Sequence, residues 1–485
     1  MKTILSLLGD LVVHPETAQI ALPEKICCDS RTVTPGALFA AIRGVNVDAA
    51  KFIPAAIEKG AKVILCESAA TAVSGVTMIR VRDAAAAYSR LERAHCGFPD
   101  ETLDVIGVTG TNGKTSTAYF LRHILMTAHR RCGMVSTIET DDGKERTAAN
   151  ATTPAAGEFF ALLQKMKQNG LDFAAMEVSS HSLDQRRLAG LGIKVAVFTN
   201  LTGDHLDYHK DMENYFVAKK RLFTEYLVPD GCAVINVDDP YGARLCRELS
   251  ALRSMLSFGR SPDAAWRISD VELRPDGSRF VLSSGTARLA VSTPLIGLHN
   301  IYNLAGALLA ARALGVGDGV LLAAAANCVM APGRLERYDL PNGAVAFVDY
   351  AHTDDALKNV FDILRRLGGK RLIVVFGAGG DRDRTKRPRM GRVVAGNSDF
   401  AVVTSDNPRT ENPESILDEI VAGIPENFDF RRIADRRAAI EYALGIAEKG
   451  DFILIAGKGH ENYQEIDHIR HPFSDSAIVR DWTKK

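Results

Sequence analysis

Apolar positions along the chain fall into two alternating rhythms. Short, nearly continuous apolar runs at 37–42, 61–66, 103–108, 173–178 and 194–199 read as buried strands, each leaving into glycine or polar residues. Between them, 52–60, 84–96, 116–126 and 213–227 carry the longer spacing of helices. Over 253–292 the rhythm changes to short strands parted by Pro-Asp-Gly and Ser-Ser-Gly turns, a β-rich insertion. A helix then runs to Leu314, with Asn300 able to serve as its N-cap. After Pro332-Gly333-Arg334 the alternation restarts, with strands at 344–349, 371–376, 401–404 and 451–455 and helices at 354–367, 413–422 and 436–448. Strands alternating with helices predict α/β units built on parallel sheets. The chain of 485 residues is too long for one core, and roughly 100–200 residues per domain gives three. The predicted class is α/β in three domains: 1–97, small and N-terminal; 98–332, central and mostly parallel with the β-rich insertion; 333–485, C-terminal and Rossmann-like.

Composition narrows the class. With 46% hydrophobic and 24% charged residues the chain is an ordinary globular protein. Lys+Arg 59 against Asp+Glu 59 leaves no net charge, which argues against a nucleic-acid partner held by bulk electrostatics. Eight cysteines, with no C-x-x-C pair, read as reduced thiols of a cytoplasmic protein. The first thirteen residues are apolar but broken by Asp10 and lack a small-residue cleavage site, so they predict an amphipathic helix and not a signal peptide. The stretch 319–331 is too short to span a membrane.

The strongest chemical signal is 103–117, LDVIGVTGTNGKTST. A strand, a glycine turn and a helix in that order can cradle a phosphate. Backbone N–H groups and the helix N-terminus face the anion, Lys114 adds a point charge and Thr115 offers a hydroxyl to Mg²⁺. The spacing departs from the usual one, with Val108 five before Gly113 and Gly110 closer in. The strand 173–178 delivers Glu177, and Ser179-Ser180-His181 follow at its carboxyl end, where parallel sheets bind ligands. Asp204, His205, Asp207 and His209 crowd one loop, which an exposed polar turn would also explain. Of Lys219-Lys220-Arg221, consecutive on a helix, at least one must face inward. In the last domain the strand exits carry Asp349, then Gly377–Arg384, then Asp406-Asn407-Pro408-Arg409, then Gly457-Lys458-Gly459-His460-Glu461. Asp29-Ser30-Arg31 is by itself a common turn tripeptide, and Asp406 could simply cap the helix at 413.

Together, TGTNGKTS at 109–116, EVSSH at 177–181, GDHLDYH at 203–209, GLHNIYN at 297–303, PGR at 332–334 and DYAHTDDAL at 349–357 resemble the Mur ligases, ATP-dependent amide-forming enzymes of the peptidoglycan stem peptide. DSR at 29–31, TTP at 152–154 and DNPR at 406–409 are similar to the branch that adds meso-diaminopimelate to a UDP-N-acetylmuramoyl dipeptide. The resemblance implies a UDP-binding first domain, an ATPase second domain and an amino-acid-binding third domain. It implies ATP contacts at Gly110, Thr111, Asn112, Gly113, Lys114, Thr115, Ser116, Asn300, Arg334 and Asp349. The sugar-peptide would meet Ser30, Thr152, Thr153, Ser179, Gln185 and Arg187; Ala151 departs from the asparagine some relatives have before the Thr-Thr pair. Lys114, Glu177, His205, Lys219 and His352 would be catalytic. Mg²⁺ would be held by Thr115, Glu177, His205 and Lys219, the last modified to a carbamate. Diaminopimelate would be held by Arg382, Asp406, Asn407, Pro408, Arg409, Gly457 and Glu461. The implied enzyme is a cytoplasmic monomer working on small molecules, with no nucleic-acid or membrane partner. A lysine-adding ligase, a folate-polyglutamate ligase and a nucleotide-hydrolysing regulator are the competing readings.

Overall fold

The computed structural model describes residues 2–44, 48–68, 73–251, 254–274 and 276–484, with Asp207 described in its backbone alone. Pro275 of the expected Pro-Asp-Gly turn lies outside the described residues. The strand Asp104–Thr109 is the axis of the largest sheet. It is flanked by parallel neighbours, Ile193–Phe198 on one side and Phe173–Glu177 on the other. Val105, Ile106 and Val108 are wholly buried. A strand covered on both faces has no polar side to show, hence the unbroken apolar run.

The sheet has eleven strands, in the order Ala287–Thr293, Gly277–Ser284, Trp266–Arg274, Met255–Gly259, Leu227–Asn236, Ile193–Phe198, Asp104–Thr109, Phe173–Glu177, Cys132–Val135, Glu139–Asp141 and Arg146–Ala148. Pairing is parallel from Trp266–Arg274 to Cys132–Val135, and the last two strands add an antiparallel edge. Phe159, Phe160, Leu163 and Met166, on the helix Ala156–Gln168, bury one core cluster together with Ala174, Met176 and Val178. Toward the N-terminus a four-stranded parallel sheet, Ile26–Cys27, Leu38–Ala40, Val63–Cys66 and Thr77–Arg80, packs on the helix Ala84–His95. The expected first helix is shorter than its apolar run, Ile4–Leu8, because Gly9 turns the chain at φ 53°.

The described residues divide into two compact units. The first holds the chain through Ser269 with Val281–Val291 and Tyr302–Ala325; the second holds Asp270–Phe280, Ser292–Ile301 and the chain from Ala326. The second contains a six-stranded sheet ordered Glu336–Asp339, Val345–Asp349, Phe452–Ala456, Leu372–Phe376, Phe400–Val403 and Phe430–Arg432, parallel except for its first strand. The helices Asp354–Leu367, Pro413–Val421 and Arg436–Ile446 lie where the periodicity puts them. A further helix, Lys386–Asn397, escapes the pattern because five of its twelve residues are basic or proline.

Two capping expectations fail. Asn300 is the third residue of the helix Leu298–Ala313, wholly buried, with Nδ2 donating to the Ile296 carbonyl (2.9 Å). The helix Pro413–Val421 is capped by Asn412, whose side chain accepts from the Glu414 N–H (2.8 Å), and not by Asp406. All eight cysteines are free thiols. Among the described residues no helix is long and apolar enough to cross a membrane.

Phe198 is completely buried on a central strand, with its ring 6.3 Å from Phe223 in edge geometry. Phe198→Ala is expected to destabilise the first unit by about 3–5 kcal/mol, read as a lowered urea midpoint, with Phe198→Leu losing less than half as much.

Candidate functional site

In the first unit the site is built on the loop between Thr109 and Lys114. Gly110 and Gly113 have φ of +152° and +85°; an added Cβ would stand 1.9 Å from Thr199 Oγ1 and 2.2 Å from Asn303 Oδ1, respectively. Only glycine fits at either position. The exit of the neighbouring strand moulds the loop: Thr199 Oγ1 donates to the Asn112 carbonyl (2.6 Å), the Asn112 N–H to Asn200 Oδ1 (3.0 Å) and the Thr111 N–H to the Asn200 carbonyl (2.9 Å). These contacts let a loop of unusual spacing hold its shape. Lys114 Nζ arches over it and donates to the carbonyls of Gly110 (2.9 Å) and Thr111 (2.8 Å). Thr115 and Ser116 are buried in the first turn of the helix Lys114–Thr127.

Of the three consecutive bases, Lys219 faces inward and is 1% exposed, whereas Lys220 pairs with Glu248 (2.6 Å). Lys219 Nζ donates to the same Gly110 carbonyl (2.8 Å) and sits 4.7 Å from the centroid of the Tyr215 ring. Burial and the positive charge of Lys114 push its pKa well below that of an ordinary lysine.

Glu177, also buried, accepts from the Thr137 N–H (2.8 Å) and hydroxyl (3.2 Å). The predicted sugar-peptide residues join it in one network. Thr152 Oγ1 accepts from the Thr137 hydroxyl (3.1 Å), while Thr153 Oγ1 donates to the Glu177 carbonyl (2.9 Å) and accepts from the Ser179 N–H (3.1 Å). Arg187 donates to the Thr153 carbonyl (2.8 Å) and, from Nε and Nη2, to Gln185 Oε1 (3.0 and 2.7 Å). Ser30 lies apart from this network in sequence, on the short turn Ser30–Thr32, with Asp29 accepting from the Arg31 N–H (2.9 Å) as the turn reading of that tripeptide predicts. His205 has φ 53°, and its ring centroid is 4.9 Å from that of His181. His209 is buried, bonded to Ser180 Oγ (2.9 Å) and stacked on Tyr215, which makes it a brace within the loop.

The second unit gathers two groups of side chains. In one, the buried Asp349 carboxylate accepts from the N–H groups of Leu335 (2.7 Å) and Ala351 (2.8 Å), fixing the turn that carries Arg334. The Arg334 guanidinium lies 4.9 Å from the centroid of the Tyr350 ring, and His352 and His460 pack on that ring at 4.7 and 5.0 Å. Arg334 Nε and His460 Nδ1 are buried without a hydrogen-bond partner among the described residues. Tyr350 and His460 complete this group although their motif positions alone did not single them out.

The other group joins Asp406, Asn407, Arg409 and Glu461. Asn407 Nδ2 donates to Glu461 Oε2 (2.8 Å), and Lys458 Nζ donates to both Asn407 Oδ1 (2.9 Å) and Glu461 Oε2 (2.8 Å). Arg409, at φ 51°, donates from Nη1 to the Gly380 carbonyl (2.7 Å). A Cβ on Gly379 would lie 3.0 Å from Arg409 Nη1 and 3.9 Å from Arg382 Cγ, so the two arginines flank that glycine. The Pro408 carbonyl abuts Gly380, where a Cβ would come within 1.9 Å of it. Burial would raise the Asp406 carboxyl, but the charges of Lys458 and Arg436 outweigh it and hold the pKa below the ordinary value. Lys458, wholly buried between two glycines, was visible as a charged strand exit, whereas Arg436 reads in the sequence only as a helix residue.

Three family models match the chain in order: the Mur ligase family catalytic domain over 24–95, the Mur ligase middle domain over 108–311 and the Mur ligase glutamate ligase domain over 333–459. The protein belongs to the Mur ligase family. Among its relatives, the UDP-N-acetylmuramoyl-L-alanyl-D-glutamate--2,6-diaminopimelate ligase of Geobacter metallireducens is 41% identical over 492 residues, covering 96% of each chain. A solved structure of a ligase of the same name is 32% identical, covers 100% of this chain and 99% of its own, and superposes with a TM-score of 0.73. Mycobacterium tuberculosis folylpolyglutamate synthase, complexed with ADP, shares the fold at 21% identity and a TM-score of 0.61, covering 91% of its own chain but 76% of this one.

Burial, with the nearby charges of Arg334 and Lys458, lowers the pKa of His460 from 6.5 to about 4. Between these values the unfolded chain binds more protons than the folded one, so His460 stabilises the fold above pH 6.5 and that contribution disappears as the pH falls toward 4. Denaturant titrations across this range are expected to show a loss on the order of 2 kcal/mol that His460→Asn flattens.

Proposed function

We propose that this protein is an ATP-dependent ligase that joins meso-2,6-diaminopimelate to the D-glutamyl γ-carboxylate of UDP-N-acetylmuramoyl-L-alanyl-D-glutamate, in peptidoglycan precursor synthesis. The observation that carries this reading is 41% identity across nearly the whole chain to a ligase of that name. The carboxylate attacks the γ-phosphorus of ATP and ADP leaves. The amine then attacks the acyl carbon of the resulting acyl phosphate, phosphate departs and an amide remains. No covalent bond to the protein is needed; charge neutralisation and exclusion of water are.

The domains divide this work as the sequence suggests, with 1–97 and the Thr152–Arg187 network for the sugar-peptide, 98–332 for ATP and 333–485 for the amino acid. Lys114 exchanges the carbonyls of Gly110 and Thr111 for phosphate oxygens. Arg187, already aligned by Gln185, is suited to a substrate carboxylate. Asn300, Arg334 and Asp349 serve the adenosine and phosphates of ATP, and His352 serves catalysis.

Mg²⁺ prefers oxygen donors, which Thr115 and Glu177 can supply. Two of the roughly four lone-pair sites of Glu177 are taken by Thr137, which leaves acceptor capacity for a cation. The buried, proton-poor Lys219 amine can add CO₂, forming an N–C bond and releasing one proton, to become an anionic carbamate. Thr115, Glu177, His205 and the Lys219 carbamate would hold the ion, whose chemistry there is to neutralise charge on the phosphates and the forming acyl phosphate.

Amino-acid choice rests on Arg409 and Arg382 facing the distal carboxylate of diaminopimelate, with Asp406 and Glu461 for the neighbouring ammonium. Lysine lacks that carboxylate and would leave Arg409 only its ion pair with Glu465 (3.6 Å). With ATP and the UDP-dipeptide, mass spectrometry is expected to show a product heavier by diaminopimelate less water, and L-lysine is expected to react about 10³–10⁴-fold more slowly. Arg409→Ala should lower kcat/KM for diaminopimelate by about 100-fold or more while barely changing the lysine rate. A preference for lysine would turn the assignment to the lysine-adding branch. Phosphate release indifferent to both co-substrates would replace it with a nucleotide-hydrolysing regulator.

A further inference from the structure

Arg436 occupies a position that electrostatics disfavours twice. It is 1% exposed, and it is the first residue of the helix Arg436–Ile446, where a positive charge opposes the helix dipole. Its guanidinium makes a bidentate pair with the equally buried Asp475, Nε to Oδ1 (2.9 Å) and Nη2 to Oδ2 (2.7 Å). Apolar residues of similar volume could fill such a space without loss of stability. The remaining hydrogen bonds give the charge a purpose. Nη2 also donates to the Ala456 carbonyl (3.0 Å) and Nη1 to that of Ser405 (3.5 Å). These are the carbonyls just ahead of Gly457 and Asp406.

The two strand exits so joined are not neighbours. Phe452–Ala456 and Phe400–Val403 are separated in the sheet by Leu372–Phe376, so no ladder hydrogen bond can fix one against the other. Asn407 joins the two loops through Lys458 and Glu461, and Arg436 spans the gap behind them, at the carbonyls of the exits themselves. Gly457 shows how tight the join is: at φ +120°, a Cβ there would stand 2.4 Å from Asp406 Oδ2 and 3.8 Å from Arg436 Nη2. The same charge helps keep the Asp406 carboxyl ionised in its buried position. We infer that Arg436, clamped by Asp475, is a positioning residue that sets the spacing of the Asp406–Arg409 and Gly457–Glu461 loops for the incoming diamino acid. This rests on the reading of those loops as the amino-acid site.

The test compares the full-length wild type with R436M/D475L, which replaces the pair by apolar side chains, and with R436K, which keeps the charge but not the fork. Steady-state KM is measured for meso-diaminopimelate, ATP and the UDP-dipeptide, alongside thermal unfolding. R436M/D475L is expected to unfold no earlier than wild type, with KM for meso-diaminopimelate raised about 10-fold or more and the other two within about two-fold. R436K is expected to fall between. An unchanged KM for the amine, or a parallel rise in all three constants, overturns the inference. Should the double variant not fold, R436K decides by the same criterion. Should the wild type turn over L-lysine in place of diaminopimelate, the substrate reading fails. The identical comparison made with L-lysine then decides the role of Arg436.

Discussion

One carbonyl oxygen organises the first unit. Gly110 O accepts from both Lys114 and Lys219, at 2.9 and 2.8 Å, bringing two amines of formally like charge to a single acceptor inside a buried loop. Burial, with the nearby charge of Lys114, lowers the pKa of the deeper of the two, Lys219, well below that of an ordinary lysine. The two identical side chains differ in burial, and the absence of a Cβ at Gly110 is what lets the loop lie against Thr199 and Asn200.

The second unit solves a different electrostatic problem on a related sheet. Its strand exits carry charges of both signs in contact, Lys458 between Asn407 and Glu461 and Arg436 against Asp475, so little of its charge is left uncompensated.

Much of this architecture was legible in the sequence because buried parallel strands advertise themselves. The runs at 103–108, 173–178 and 194–199 became adjacent strands of one sheet, and Lys219 was the member of its basic triplet that faced inward. What escaped were features that depend on contacts distant in sequence. The helix Lys386–Asn397 has too few apolar residues to announce itself. Asn300 looked like a cap because it precedes an apolar run, but the helix begins two residues earlier and buries it. Arg436 carried no local signal at all. Its partners Asp475 and Ala456 lie 39 and 20 residues away, and only folding brings them to it.

The loop that holds Lys114 takes its shape from Thr199 and Asn200 on the adjoining strand exit. In enzymological terms, the recognition element and its mould are encoded some ninety residues apart. Lesions in the mould would therefore mimic lesions in the recognition element. A variant at Thr199 would register in a binding assay as defective toward ATP although its side chain need never touch the nucleotide, and a screen for ATP-contacting residues would score it as a false positive.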